Sequence, residues 1–248
     1  MKNRRSFLRK RAVVLLSGGL DSATTLYLAR QNGFRTDCLI FDYGQRHKKE
    51  IESARRIAQS AGCKAQIVKI KLPWKGSALL DGKIKIPLVT KSVRKPPRRG
   101  QSQCASLPGG DKVTSKIPST YVPGRNIIFL SFALSFAEAI KAKAIFIGAH
   151  IQDYSGYPDC RPEFLRAFDK VISCGTKSGA QNERIKIHAP LIRKNKLEII
   201  RLAVKLGVPL GLTRSCYRGG KIPCGKCDSC YFRAKGFLEA GIDDPALK

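Results

Sequence analysis

Two groups of residues in this chain have the types and spacing that chemistry requires. The first is Ser17-Gly18-Gly19-Leu20-Asp21-Ser22, which follows an apolar run at 12–16 and opens a helical pattern at Ala23. Two glycines let the backbone come close to a ligand, and the free N–H groups of a following helix point at the same place. Those are the requirements for holding a chain of phosphates. The spacing is not that of a Walker loop, GxxxxGK followed by Ser or Thr, and the chain contains no GxGxxG. A glycine turn capped by Ser or Asp is the plain alternative, and the order strand, loop, helix argues against it. The second group is Cys216, Cys224, Cys227 and Cys230, spaced C-x7-C-x2-C-x2-C, with Gly219, Gly220, Pro223 and Gly225 supplying tight turns. This spacing suits one tetrahedral Zn²⁺, and four thiolates leave no open coordination position, which makes the site structural. An iron–sulfur cluster is the main rival and disulfides come third.

Those groups have to be positioned. Strand signals fall at 12–16, 37–42, 65–71, 144–148 and 185–189, and helix signals at 22–32, 47–61, 126–141, 162–173 and 195–206. Alternation of this kind predicts an α/β fold with a doubly wound parallel sheet, whose ligands bind beyond the carboxyl ends of the strands. The loop at 17–22, the loop after Phe41 and the loop after Gly148 all belong to that edge. Between Pro73 and Pro118 the alternation fails. The prolines and like charges around 91–100 predict a mobile basic insertion that serves as a lid, a polyanion contact or a solvated excursion. The organisation is therefore a basic tail at 1–11, a main domain at 12–210 carrying the insertion 73–118, and a four-cysteine segment at 211–248 that forms a small helical appendage.

Composition limits the rest. With 248 residues, 43% of them hydrophobic, the chain can build one large core. No apolar run approaches the roughly 20 residues that cross a bilayer, and no secretory leader is visible. Nine cysteines without a leader point to a reducing, cytoplasmic setting where metal binding outweighs disulfides. Lys and Arg outnumber Asp and Glu 47 to 18, a formal charge of +29, which attracts polyanions without identifying one. Cys38, Cys63, Cys104, Cys160 and Cys174 are scattered and read as small buried or half-buried residues.

The motif SGGxDS resembles the PP-loop of the ATP pyrophosphatases, which split ATP between its α and β phosphates. Phe41-Asp42-Tyr43-Gly44-Gln45-Arg46-His47, Pro118-Ser119-Thr120-Tyr121-Val122-Pro123-Gly124-Arg125-Asn126, Ser155-Gly156-Tyr157-Pro158-Asp159-Cys160-Arg161 and the four-cysteine end narrow the likeness. Together they resemble the 7-cyano-7-deazaguanine synthase family, also called QueC, from Ala12 to about Gly241. The basic tail and the insertion depart from the compact family pattern. The resemblance implies that a carboxylate on a deazaguanine is adenylated with ATP, converted by ammonia to an amide, and activated again to a nitrile. It also implies a homodimer and an ammonia source outside this chain.

On that reading the catalytic residues are Ser17, Asp21, Ser22 and Lys196. The nucleotide contacts are Leu16, Ser17, Gly18, Gly19, Leu20, Asp21, Ser22, Ala23, Thr24, Thr25 and Leu26, joined by Arg125 and Asn126. Asp21 is assigned either to Mg²⁺ or to bracing the loop, and Lys196 to the departing phosphates. Arg125 and Asn126, at a helix start, hold ATP or the substrate carboxylate. Asp153, Ser155, Tyr157, Asp159 and Arg161 are the substrate set, with Asp153 or Asp159 accepting from a guanine-like edge. His47 is placed near the nucleotide, whereas His150 and His188 are read as packing or hydrogen-bonding residues. A tRNA-modifying PP-loop enzyme, its RNA held by the basic tail and insertion, is the alternative that explains the charge. A non-catalytic nucleic-acid-binding protein leaves Ser17 to Ser22 without a purpose.

Overall fold

The computed structural model describes residues 10–88, 117–150, 156–220 and 222–247. The tail 1–9, most of the insertion (89–116), Asp153 and Ser155 lie outside the described residues. The elements run β1 (Arg11–Leu15), α1 (Leu20–Gln31), β2 (Arg35–Asp42), α2 (Lys49–Ser60) and β3 (Lys64–Lys69). After the insertion come α3 (Arg125–Ala139), β4 (Ala144–Phe146), α4 (Pro162–Gly175), α5 (Lys177–Ala180), β5 (Lys186–His188), α6 (Lys196–Lys205) and α7 (Asp228–Ala240).

The strands form one parallel sheet in the order β3-β2-β1-β4-β5. Chain direction across the sheet reverses between β1 and β4, because β2 and β3 extend on one side and β4 and β5 on the other. A crevice opens at such a switch point, beyond the carboxyl ends of the strands. Strand β1 alternates its side chains between two cores. Ala12 and Val14 pack with Leu26, Ile57, Ile199, Ile200 and Phe237, drawn from α1, α2, α6 and α7. Val13 and Leu15 pack with Leu130, Leu134, Leu165 and Phe168 from α3 and α4. A strand buried on both faces must be apolar throughout, which is why Ala12-Val13-Val14-Leu15-Leu16 has no polar alternation. Each large side chain buried here contributes about 1.5–3 kcal/mol.

The first part of the insertion is built into the protein rather than solvated. Ala78 N–H donates to the Ser119 carbonyl at 2.7 Å, and Arg46 N–H to that of Leu79 at 3.1 Å. Ala78 and Ile86 form a third small core with Cys216, Cys227 and Cys230, and Leu88 bridges Cys227 antiparallel. Apolar residues at 78, 79, 84 and 86 explain this. The prolines and charges that set the expectation of mobility lie further on, beyond residue 88.

Candidate active site and metal centre

The loop after β1 is held by its own atoms. Ser17 Oγ and Ser22 Oγ lie 3.1 Å apart, Ser17 N–H donates to Ser22 Oγ at 3.2 Å, and Ser22 Oγ donates to the Gly19 carbonyl at 3.1 Å. Gly18 has φ of +84°, and a Cβ there would strike the Glu50 carbonyl and come within 2.9 Å of Ala54 N. Only glycine lets the loop lie on α2 in that conformation. From outside, Arg214 N–H donates to the Gly18 carbonyl at 2.8 Å. Gly148 closes the other flank, since a Cβ on it would stand 3.0 Å from Ser22 N.

Behind the loop sits an ion cluster. Lys196, the first residue of α6, points its Nζ at Asp21 Oδ1 and Oδ2 (2.8 and 3.0 Å) and at His150 Nε2 (3.0 Å). His150 Nε2 is also 3.4 Å from Asp21 Oδ2. Burial alone would raise the Asp21 pKa, but the Lys196 ammonium and the His150 ring outweigh it and hold the carboxyl well below its ordinary range. Lys196 fits because Gly236 of α7 leaves room: a Cβ there would come 2.7 Å from Lys196 Cγ. Asp21 is thus occupied as a brace for the loop. His150, read from sequence as a packing or hydrogen-bonding residue, is a hydrogen-bonding member of the cluster.

In front of the loop lies a cavity of about 240 Å³. Its lining includes Leu16, Ser17, Gly19, Asp21 and Ser22 on one side and Arg125, Asn126, Thr120 and Tyr157 on another. Phe41, Tyr43 and Phe129 supply an aromatic wall. Phe41 and Phe129 stack at 3.9 Å with planes 4° apart, and Tyr43 meets Phe129 edge-on at 5.3 Å. The Arg125 guanidinium lies 5.9 Å from the Tyr43 and Phe129 centroids, and its Nη1 donates to the Tyr43 hydroxyl at 3.4 Å. Burial pushes the Tyr43 pKa up despite that cation. The wall combines a flat apolar face with a fixed positive charge, which suits an anionic aromatic molecule.

Several expected contacts fall elsewhere. Ala23, Thr24, Thr25 and Leu26 do not line this cavity; they are buried on the core side of α1, with Thr24 Oγ1 donating to the Leu20 carbonyl at 2.8 Å. Of these four, Ala23 and Leu26 join the core between α1, α2 and the sheet, and all four are buried. Gly18 shapes the loop from behind and is outside the lining, as are Leu20, Lys196, Asp159 and Arg161. Asp159 is buried, and its Oδ2 accepts the Asn126 N–H at 2.9 Å, satisfying the start of α3 where Gly124 offers no side chain. Asn126 in turn donates through Nδ2 to the Asp159 carbonyl (3.3 Å) and Cys160 Sγ (3.1 Å). Tyr157 reaches the lining with its hydroxyl 2.7 Å from Thr120 Oγ1. Arg161 stands at the N-terminus of α4. His47, Glu50, Arg214, Ser215, Tyr217 and Ser229 also line the cavity. His47 was placed near the nucleotide from sequence; for the others the one sequence signal was proximity to the segment 41–47 or to the cysteines.

The cysteine segment forms the neighbouring wall. Sγ atoms of Cys216, Cys224, Cys227 and Cys230 all lie within 4.8 Å of one another, a group able to hold a metal ion. Backbone N–H groups of Cys224, Lys226 and Cys227 point at these sulfurs at 3.4–3.5 Å. The Cys227 thiol is pulled down to about 5, chiefly by its hydrogen bond with Cys230 and against the effect of burial. Arg233 of α7 anchors the segment: it grips both Asp244 oxygens (2.6 and 2.8 Å) and Thr213 Oγ1 (2.8 Å) within the fold.

A parallel α/β sheet with a glycine-built phosphate loop at its switch point, facing an aromatic and cationic cavity, defines a nucleotide-using protein of the PP-loop ATPase class. Comparison narrows the class. The family model described as "Queuosine biosynthesis protein QueC" matches residues 11–241, and the chain belongs to that family. It is 51% identical over 236 residues to a 7-cyano-7-deazaguanine synthase of Acetivibrio thermocellus, covering 95% of this chain and 96% of the relative. To the proteins of that name from Desulfitobacterium hafniense and Nostoc sp. it is 50% and 48% identical over 237 residues, 95% of this chain and 92% and 96% of theirs.

Proposed function

We propose that this chain is an ATP-dependent ligase that converts 7-carboxy-7-deazaguanine and ammonia to 7-cyano-7-deazaguanine, releasing AMP and pyrophosphate. The observation that carries the reading, beside family membership, is the shared cavity. It sets the phosphate loop against Arg125 and the Tyr43 and Phe129 rings, which supports a site shared by a triphosphate and a carboxylated flat ring. A carboxylate is a poor electrophile, and transfer of AMP to its oxygen creates a leaving group. The same activation of the amide oxygen then permits the second dehydration. No side-chain nucleophile is needed, because the substrate's own oxygen attacks the α-phosphorus. The protein's contribution is orientation and stabilisation of charge. Ser17, Gly19 and Ser22 hold the phosphates from a loop already fixed by its own hydrogen bonds, and Arg125 faces the carboxylate. Lys196 and Asp21 act through the loop they brace. Tyr157 serves the ring edge, together with Asp153, Ser155 and Arg161 of its segment. Asp159 supports it by holding α3.

The four thiolates support zinc. A tetrahedral ion with bonds of about 2.3 Å separates its sulfurs by about 3.8 Å, and Cys224 Sγ stands 4.0 Å from Cys230 Sγ. Its role is structural, with four ligands and none left for substrate. Mg²⁺ enters with the nucleotide, bound by phosphate oxygens, since Asp21 is already paired. Homodimerisation and a cytoplasmic location follow the family reading; among the described residues no helix is long and apolar enough to cross a membrane. The alternative of RNA as substrate gains nothing from the cavity. The test is incubation with 7-carboxy-7-deazaguanine, Mg-ATP and ammonium chloride. Nitrile should form together with AMP and pyrophosphate, and release of ADP without AMP would overturn the adenylation route.

A further inference from the structure

We propose that Gln45 is a positioning residue for the substrate ring, its carboxamide taking the place of a missing strand behind Phe41 and Tyr43; the inference rests on the synthase activity proposed above. Strand β2 outlasts one of its neighbours. Strand β1 ends at Leu15, and the last bond between the two is from Leu16 N–H to the Leu39 carbonyl at 2.9 Å. Beyond it the chain departs into the phosphate loop. On the other side β3 follows β2 as far as Asp42, whose carbonyl accepts the Ile70 N–H at 2.8 Å. Backbone groups alternate in direction along a parallel strand, so those of Phe41 and Tyr43 face the side that β1 has left. Gln45 meets them there. Its Nε2 donates to the Phe41 carbonyl at 3.0 Å, and its Oε1 accepts the Tyr43 N–H at 2.8 Å. Gln45 is 1% exposed, so these two backbone groups are satisfied by the carboxamide inside the fold. Gly44, at φ of +84°, lets the chain turn back for the side chain to reach them.

Phe41 and Tyr43 carry the aromatic wall, whereas Gln45 is outside the cavity lining and acts from behind it. Fixing the Tyr43 backbone fixes the ring whose hydroxyl accepts from Arg125 Nη1 at 3.4 Å. The carboxamide therefore bears on both the flat face and the cation that meets the carboxylate. Its second Nε2 hydrogen goes to Glu50 Oε1 at 3.0 Å. Glu50 belongs to α2, and its carbonyl is the atom against which Gly18 of the phosphate loop is packed. Gln45 thus ties the ring wall to the helix on which the phosphate loop lies, which sets the distance between the group that is activated and the nucleotide that activates it.

The test is a double-mutant cycle read as separate KM values for the carboxylate and for ATP. Gln45→Met keeps the length of the side chain and removes its polar atoms, and the carboxylate KM should rise about tenfold, while that for ATP changes less than about twofold. In a Tyr43→Ala background the same substitution should add less than about twofold to the carboxylate KM, because the ring it positions is gone. Loss of folded protein alone would lower kcat and leave both KM values in place. Should Gln45→Met fail to fold, Gln45→Glu, which keeps the size and the acceptor for Tyr43 N–H, enters the same cycle with the same direction expected. An unchanged carboxylate KM, an equal rise for both substrates, or a full effect in the Tyr43→Ala background overturns the role of Gln45 and leaves the synthase reading standing. If the unmodified protein forms no nitrile, the synthase reading falls and this one with it.

Discussion

The phosphate loop and the cysteine segment share a cavity wall but are held in opposite ways. The loop at 17–22 is satisfied by protein atoms alone: its hydroxyls bond each other, its Gly18 carbonyl is met by Arg214, and its acid is neutralised by Lys196 and His150. The segment at 216–230 gathers four thiols within 4.8 Å, three of them buried, with no disulfide between them. One region is held by its own hydrogen bonds and ion pairs, and the other brings together four thiols that could hold an ion. Rigidity at the loop favours positioning, whereas on the zinc reading proposed above the order of the cysteine wall depends on its ion. The two are also linked, because Arg214 and Ser215 precede Cys216 directly and line the cavity.

Metal removal is the sharpest way to break the comparison. Structural zinc sites contribute about 10 kcal/mol or more in small domains, so chelation or Cys227→Ser should lower the melting midpoint by at least about 10 °C. Activity should disappear in parallel, since the backbone that holds Gly18 goes with the segment. Elemental analysis should find one zinc per chain. A chelated protein that keeps its midpoint and activity would place the cysteine region in the same self-sufficient category as the loop.

The next largest effect tests the loop's own brace. Lys196→Met leaves the Asp21 carboxylate beside a half-buried loop without its main partner, and breaking such a pair costs about 3–5 kcal/mol. Denaturant melts should show that loss, and turnover should fall with it. Adding Asp21→Asn should return part of the stability, because the uncompensated charge is gone. A double variant as unstable as the sum of the single ones would mean that the two side chains act independently.

The same cluster sets a pH dependence. Asp21 has its pKa depressed in the folded state, so its stabilising contribution is complete above the unfolded value of about 3.9 and declines as pH falls below it. Asp21→Asn should flatten the stability curve below about pH 4 and leave its slope at neutral pH unchanged. An unaltered acid limb would remove Asp21 from the cluster's energetics.

How much of this was readable in advance differs between the two regions for a physical reason. Turn glycines and closely spaced cysteines act over a few residues, so the loop at 17–22 and the thiol cluster were visible as spacing. The brace joins residues 175 positions apart, and nothing local to Lys196 or His150 marks their meeting. Asp159 looked like a recognition residue because its segment combines two carboxylates, two tyrosines and an arginine, yet α3 begins without a capping side chain and takes that carboxylate. Thr24 and Thr25 followed the phosphate loop in the nucleotide set, and both are buried in α1. Strand β4 stops at Phe146 where the pattern extended to 148, since Ile147 and Gly148 already lead into the cavity.

The smallest expected effect separates stability from positioning. Asn195 accepts the Glu198 N–H at 2.9 Å while the Glu198 carboxylate accepts the Asn195 N–H at 2.8 Å, a reciprocal cap at the start of α6. Asn195→Ala should cost about 1 kcal/mol in denaturant melts. Lys196 is the next residue, so a frayed first turn also loosens the ammonium that holds Asp21. If the loop depends on that brace, turnover should fall by more than the change in folded population, which at 1 kcal/mol is negligible for a protein of ordinary stability. A variant that loses the full increment of stability yet keeps its turnover would show the loop holding its shape through Ser17, Ser22 and Arg214 without help from α6.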